Sequence, residues 1–136
     1  MKYKYKILIV GDEEEASCTL KKHLEQEGYR VETTRSATDA FEKIKSDKYH
    51  IVLIDIVMPQ IDGLELLSQI KKYDPMTQII MMTEYSTMDK ILSSLEYGAN
   101  DYIYKPLKSA EHVMNVIDYS VQKLERWRAA ILQIVK

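Results

Sequence analysis

Short apolar runs and longer stretches of helical period alternate along the chain. Ile7-Leu8-Ile9-Val10, Ile51-Val52-Leu53-Ile54 and Ile79-Ile80-Met81-Met82 are near-continuous apolar runs, the form taken by strands that helices cover on both faces. With two weaker segments they predict strands over residues 5–10, 29–33, 51–54, 79–82 and 102–104. Between them the apolar positions recur at helical spacing and predict helices over 14–27, 37–46, 63–73 and 87–97. The punctuation agrees. Gly28 and Gly98 stand where a helix ends, Asp74-Pro75 closes the third helix, and Ser36, Asp62 and Ser86 stand where caps belong. Five strand-helix units in succession imply an α/β fold, a parallel sheet with crossover helices on both faces.

The last segment departs from this rhythm. From Ala110 a helical pattern runs to the C-terminus, and Val113, Ile117, Ser120, Leu124, Trp127, Ile131 and Ile134 fall at alternating spacings of four and three, a heptad seam. The chain therefore divides into a folded domain over 1–120 and a helical extension over 121–136, a coiled-coil segment or a linker to an effector. Two readings of the distal stripe stand side by side. It is an amphipathic tail in solvent, or it pairs with another helix through Trp127 and Ile131, since leaving it wet forgoes burial worth ~25 cal/mol per Å². Periodicity that persists to the last residues fits a chain cut from a longer protein.

Composition narrows the setting. A chain of 136 residues is one domain with room for a real core. Its formal net charge of -2, with no block of like charge, favours neither duplex nucleic acid nor an anionic membrane as partner. Cys18, the single cysteine, has no disulfide partner and no Cys/His cluster beside it, which fits a reducing compartment and argues against structural zinc. The apolar run after the basic start is too short for a signal peptide, and no stretch has transmembrane length, so a cytoplasmic, soluble chain is expected.

In an open parallel sheet, functional residues gather at the carboxyl ends of the strands. Reading across those ends gives Gly11-Asp12-Glu13, then Asp55, then Thr83, then Lys105-Pro106. An acid pair suits a hard divalent cation such as Mg²⁺, and a hydroxyl and an ammonium beside it suit a phosphoryl group. Each residue alone has a plain explanation: Asp12 as a helix N-cap, Thr83 as a strand-end hydroxyl, Lys105 as a solvated charge. Their joint appearance at successive strand ends is what points to a site.

The chain closely resembles the receiver domain of two-component response regulators over about residues 4–119. The resemblance rests on Ile7-Leu8-Ile9-Val10-Gly11-Asp12-Glu13, Ile54-Asp55-Ile56-Val57-Met58-Pro59 with Asp62-Gly63, Met82-Thr83, and Gly98-Ala99-Asn100-Asp101-Tyr102-Ile103-Tyr104-Lys105-Pro106. It implies a flavodoxin-like (βα)5 doubly wound sheet of order 2-1-3-4-5, with the last helix extended. It further implies that Asp55 accepts a phosphoryl group from a phosphohistidine on a sensor histidine kinase or phosphotransfer protein. Asp12, Asp55 and the backbone carbonyl of Val57 would hold Mg²⁺, while Lys105 and Thr83 would contact phosphoryl oxygens. Tyr102 stands at the family's aromatic switch, its plain alternative being a strand aromatic packed under the last helix. By this resemblance the chain is a signalling module and not an enzyme, beyond its own phosphorylation and dephosphorylation. The signal would leave through the last sheet edge or the C-terminal helix, which also offers a homodimer contact.

Two departures bear on the site. Gly11 stands where the family usually has a first acid, which weakens the Mg²⁺ site, with Glu13 expected in the first turn of a helix, where it complements the dipole. Glu84 stands where a small residue usually follows the threonine, and at about 4 Å with an effective dielectric of 20 its charge would cost ~4 kcal/mol against a phosphate unless it swings into solvent. By the resemblance Val57 and Tyr85 occupy the positions that tune how readily water reaches the phosphoryl group, and neither activates water well, so slow self-dephosphorylation is expected. Three other functions compete: a degenerate receiver acting as a constitutive interaction or dimerisation module, an aspartyl phosphatase or phosphotransferase, and a flavin protein. Val57 lies where such a phosphatase needs a second acid, and Asp12-Glu13-Glu14-Glu15 would repel a nucleotide phosphate where a flavin protein has its phosphate loop.

Overall fold

The computed structural model describes residues 4–56, 63–83, 88–104 and 110–135. In chain order the elements are β1 (Lys6–Val10), α1 (Glu14–Gln26), β2 (Arg30–Thr34), α2 (Ala37–Ser46), β3 (Ile51–Asp55), α3 (Gly63–Tyr73), β4 (Gln78–Thr83), α4 (Met88–Glu96), β5 (Asp101–Tyr104) and α5 (Ala110–Ile134). The five strands form one sheet of order β2-β1-β3-β4-β5 with every neighbouring pair parallel, as the resemblance implied.

Strand alternation explains why the central strands are apolar throughout. Ile7, Ile9, Ile51, Leu53, Ile80, Met82 and Ile103 face a layer with Leu20 and Leu24 of α1 and Val113, Ile117 and Leu124 of α5. Leu8, Val10, Val52, Ile54, Ile79 and Met81 face the opposite layer, with Ala40 and Ile44 of α2 and Leu66, Leu67 and Ile70 of α3. The helix α4 is held more loosely. Ser94 is its buried residue, while Met88, Leu92 and Leu95 are exposed.

Helix ends follow the local chemistry. Ser36 accepts the Asp39 N–H at 3.2 Å on its hydroxyl, capping α2 as predicted. Gly28 and Gly98, both at φ of 99°, close α1 and α4. Behind each, the next amide donates five residues back: Tyr29 N–H to Leu24 O at 3.2 Å and Ala99 N–H to Ser94 O at 2.9 Å. That closure corrects one boundary. Tyr29 belongs to the end of α1, so β2 begins at Arg30, not at residue 29. Glu13 is also displaced from its expected place: it is the N-cap of α1 and makes no side-chain cap hydrogen bond, leaving Glu14 and Glu15 in the first turn. Asp62 and Ser86 lie outside the described residues.

The 25 residues of α5 span about 37 Å. Val113, Ile117, Ser120 and Leu124 are buried against the sheet, and Tyr29 donates to the Asp118 carboxylate at 3.0 Å. From Glu125 to Val135 every residue is exposed, Trp127 at 59% and Ile131 at 45%. The heptad seam thus divides after Leu124: its first half is core and its second half faces solvent.

Candidate functional site

Because all five strands are parallel, their carboxyl ends lie along one edge of the sheet. Register then brings the predicted residues together. Asp55 is the last residue of β3 and pairs with Met82, one residue before Thr83 at the end of β4, and Thr83 pairs with Tyr104 at the end of β5. On the other side of β3, Val10 pairs with Ile54, so Gly11 and Asp12 emerge beside Asp55. Gly11 extends the edge further, its N–H donating to Thr34 O at 3.1 Å. Lys105 and Val57, like Glu84 and Tyr85, lie outside the described residues, and the Thr83 side chain is not described.

Asp55 is 7% exposed, a carboxylate with little water around it. The backbone that carries it is fixed from two directions. Ile56 N–H donates to Met82 O at 2.9 Å, and Gly63 N–H donates to Ile56 O at 3.2 Å. Gly63 is also a steric requirement that its place in the Asp62-Gly63 motif does not reveal. A Cβ there would lie 2.5 Å from Asp55 O and 2.9 Å from Ile56 Cα, so the start of α3 approaches the Asp55 backbone as only glycine allows.

Asp12 is exposed, with an Oδ1 3.9 Å from Arg35 Nη2; Arg35 also stands 3.8 Å from Glu14. Exposed pairs at such distances contribute little and leave the carboxylate accessible. Arg35 is a neighbour that motif reading did not find. Its signal is topological, since β2 lies beside β1 and the residue after β2 must reach the same edge. Gly11 opens a cleft of about 20 Å³ lined by Gly11, Glu13, Ala16, Ser17, Asp55 and Met82, among others. A Cβ on Gly11 would lie 3.5 Å from Ser17 Oγ and 3.9 Å from Asp55 Cβ, which is ordinary contact. The missing acid therefore leaves room for a Cβ at this position.

Among the described residues no three Asp, Glu, His or Cys groups converge as a metal cluster. Mg²⁺ does not require one, because it keeps several waters and takes one or two carboxylates from a protein. Asp12 and Asp55 suit that donor set. Tyr102 is corrected in its packing: it is partly buried against the α2–α3 layer, and Ile103 takes the place against α5 that the plain reading assigned to it. No helix among the described residues is long and apolar enough to cross a membrane.

Comparison with known proteins gives one answer. The response regulator receiver domain family matches residues 7–118. The alkaline phosphatase synthesis transcriptional regulatory protein PhoP of Bacillus subtilis is 36% identical over 106 residues, 78% of this chain and 44% of that protein. The chain spans about half the length, or somewhat less, of the curated relatives it matches. A CheY-like receiver domain protein from Methanospirillum hungatei superposes with a TM-score of 0.87 at 33% identity, over 90% of this chain and 97% of that one. The beryllofluoride-activated NtrC4 receiver domain dimer superposes with a TM-score of 0.83 at 29% identity, over 91% of this chain and 99% of that one.

Proposed function

The chain belongs to the response regulator receiver family, and from that premise we propose that it accepts a phosphoryl group on Asp55 from a phosphohistidine of a sensor kinase or phosphotransfer protein. The observation that carries this reading is the placement of Asp55: nearly buried, at the last position of a central strand, with its backbone pinned by Met82 and Gly63. A fixed carboxylate leaves the reaction mostly a matter of positioning. An Asp55 oxygen attacks phosphorus in line as the bond to the imidazole nitrogen breaks. Mg²⁺ held by Asp12, Asp55 and the Val57 carbonyl would neutralise the charge that gathers there. Lys105 pairs with one phosphoryl oxygen and Thr83 hydrogen-bonds another. Thr83 and Tyr102 then carry the change to β5 and α5, and Val57 and Tyr85 make self-dephosphorylation slow.

The role is one of signalling, not turnover of a substrate. The relative from Bacillus subtilis is named as a transcriptional regulator, and a longer protein carrying this domain would act on transcription through a segment other than this one. Within the chain, residues 1–120 act as the receiver and 121–136 as the extension. The exposed stripe with Trp127 and Ile131 pairs with a second copy, which would cover its apolar side chains.

Incubation with a small acyl-phosphate donor and Mg²⁺, followed by intact mass measurement, tests the proposal. The wild type gains one phosphoryl group and Asp55→Ala does not; equal gain by both rejects Asp55 as acceptor. Gly11 favours a second reading, a degenerate receiver that works by contacts alone, because the edge lacks one acid. That reading predicts no gain in either protein.

A further inference from the structure

The cleft that Gly11 opens beside Asp55 is lined by a second buried polar side chain, that of Ser17. Asp12 and Glu13 at the same edge are exposed, whereas Ser17 is 9% exposed. Its place is set locally. Ser17 stands one turn into α1, where its N–H donates to Glu13 O at 3.0 Å and fixes the backbone. Its hydroxyl oxygen lies 3.5 Å from the point that a Cβ on Gly11 would occupy, and Asp55 Cβ lies 3.9 Å from that same point. The Ser17 hydroxyl and the Asp55 side chain therefore border one small space. Other helix hydroxyls are engaged differently: Thr19 donates to Glu15 O at 3.0 Å and Ser94 to Lys90 O at 2.9 Å, the back-bonding available to any hydroxyl inside a helix. Ser17 makes no such bond among the described residues, which leaves its oxygen for a group in the cleft.

Room is the second constraint. The cleft of about 20 Å³ has space for one water. An ion there would meet Ile9, Ala16, Leu20 and Met82 instead of the oxygens it requires. Mg²⁺ keeps several of its waters, and those waters donate to acceptors that surround the ion and tune how tightly it is held. We infer that Ser17 is a positioning residue for Mg²⁺: its hydroxyl accepts a hydrogen bond from a metal-bound water in the Gly11 cleft, in place of the acid that Gly11 lacks. The inference rests on the Mg²⁺ site proposed above for Asp12, Asp55 and the Val57 carbonyl. A neutral oxygen supplies only part of what a carboxylate would, so its removal weakens the site without abolishing it.

Isothermal titration of the full chain with MgCl₂, without phosphodonor, tests this as a double-mutant cycle. Ser17→Ala removes the oxygen and favours the helix, so the variant keeps its fold. It should bind Mg²⁺ about fivefold more weakly than the wild type. In the Gly11→Asp background, where a carboxylate supplies the acceptor, the same substitution should change affinity by less than about twofold. A packing role for Ser17 would weaken both backgrounds alike, and equal weakening overturns the inference. So does a Ser17→Ala affinity equal to that of the wild type. Absence of Mg²⁺ binding by the wild type overturns it together with the metal site on which it rests. The expected cycle in a protein whose Asp55 takes no phosphoryl group would support the inference and reject the phosphoacceptor reading alone.

Discussion

At the amino end of the sheet Lys6 reaches Glu32 at 2.7 Å, bonds Asp47, and lies 4.7 Å from the centre of the Tyr49 ring. At the carboxyl end Asp12 stands 3.9 Å from Arg35, and Gly11 offers no side chain at all. Hydrogen bonds that it donates to Asp47 and Glu32 hold the Lys6 ammonium well above the ordinary lysine range, and Lys6 in turn holds the Glu32 carboxyl below its own. The Lys6 cluster thus satisfies its charges internally. The carboxyl end keeps a nearly buried carboxylate and an exposed one with loose partners, an arrangement that gains from something arriving. Internal ion pairing sits at the amino end of this fold, and the candidate chemistry sits at the carboxyl end.

The contrast can be broken most strongly at Gly63. Gly63→Ala puts a Cβ against the Asp55 carbonyl oxygen, and neither backbone can yield cheaply; a loss of about 3 kcal/mol in urea unfolding is expected. Gly11→Asp works in the other direction, since its Cβ meets only ordinary contacts. Added negative charge beside Asp12 and Asp55 should tighten Mg²⁺ binding by about tenfold, read by isothermal titration. Unchanged affinity would show that the missing acid is not what limits the site. Lys6→Met removes the hub of the amino-end network and should cost about 1 kcal/mol, because its partners are partly exposed. Asp55→Asn should stay within about 0.5 kcal/mol of wild type or exceed it. Similar losses in both variants would erase the difference between the two ends.

The smallest effect is in pH. Burial, with Lys48 and Arg128 nearby, holds His50 below its usual 6.5. The unfolded chain then binds more protons than the folded one in this window, so stability is full above about pH 6.5 and declines as pH falls through the folded value. His50→Asn keeps an acceptor for the Lys6 N–H and should flatten the slope of stability between about pH 7.5 and 5.5. Glu32 and Asp74, both held below the carboxylate range, contribute at lower pH.

Sequence reading reached the elements whose causes are local. The apolar runs marked the strands, Ser36 its cap, and Gly28 and Gly98 their helix ends, and alternation along the central strands shows why one run serves two core layers. It stopped where the cause lies across space. Lys6 reads as part of a basic start, yet its partners lie on β2 and just after α2. Gly63 reads as a helix start, although the constraint on it comes from the Asp55 and Ile56 backbone. A heptad seam shows what repeats and not what it faces, so the change from core to solvent after Leu124 appears only once the sheet is placed beneath α5. At the site, adjacency of Asp12, Asp55 and Thr83 was legible because strand ends of a parallel sheet share an edge, whereas Arg35 required knowing that β2 borders β1.

On the proposed function Asp55 is the residue that carries the phosphoryl group. An acyl phosphate on aspartate is reduced by borohydride to homoserine, so treatment with an acyl-phosphate donor and Mg²⁺, then borohydride, then peptide mass mapping, reads the acceptor directly. Homoserine at position 55, absent when donor or Mg²⁺ is withheld, is the predicted result. Homoserine at Asp12 instead, or none anywhere in a folded protein, would contradict it.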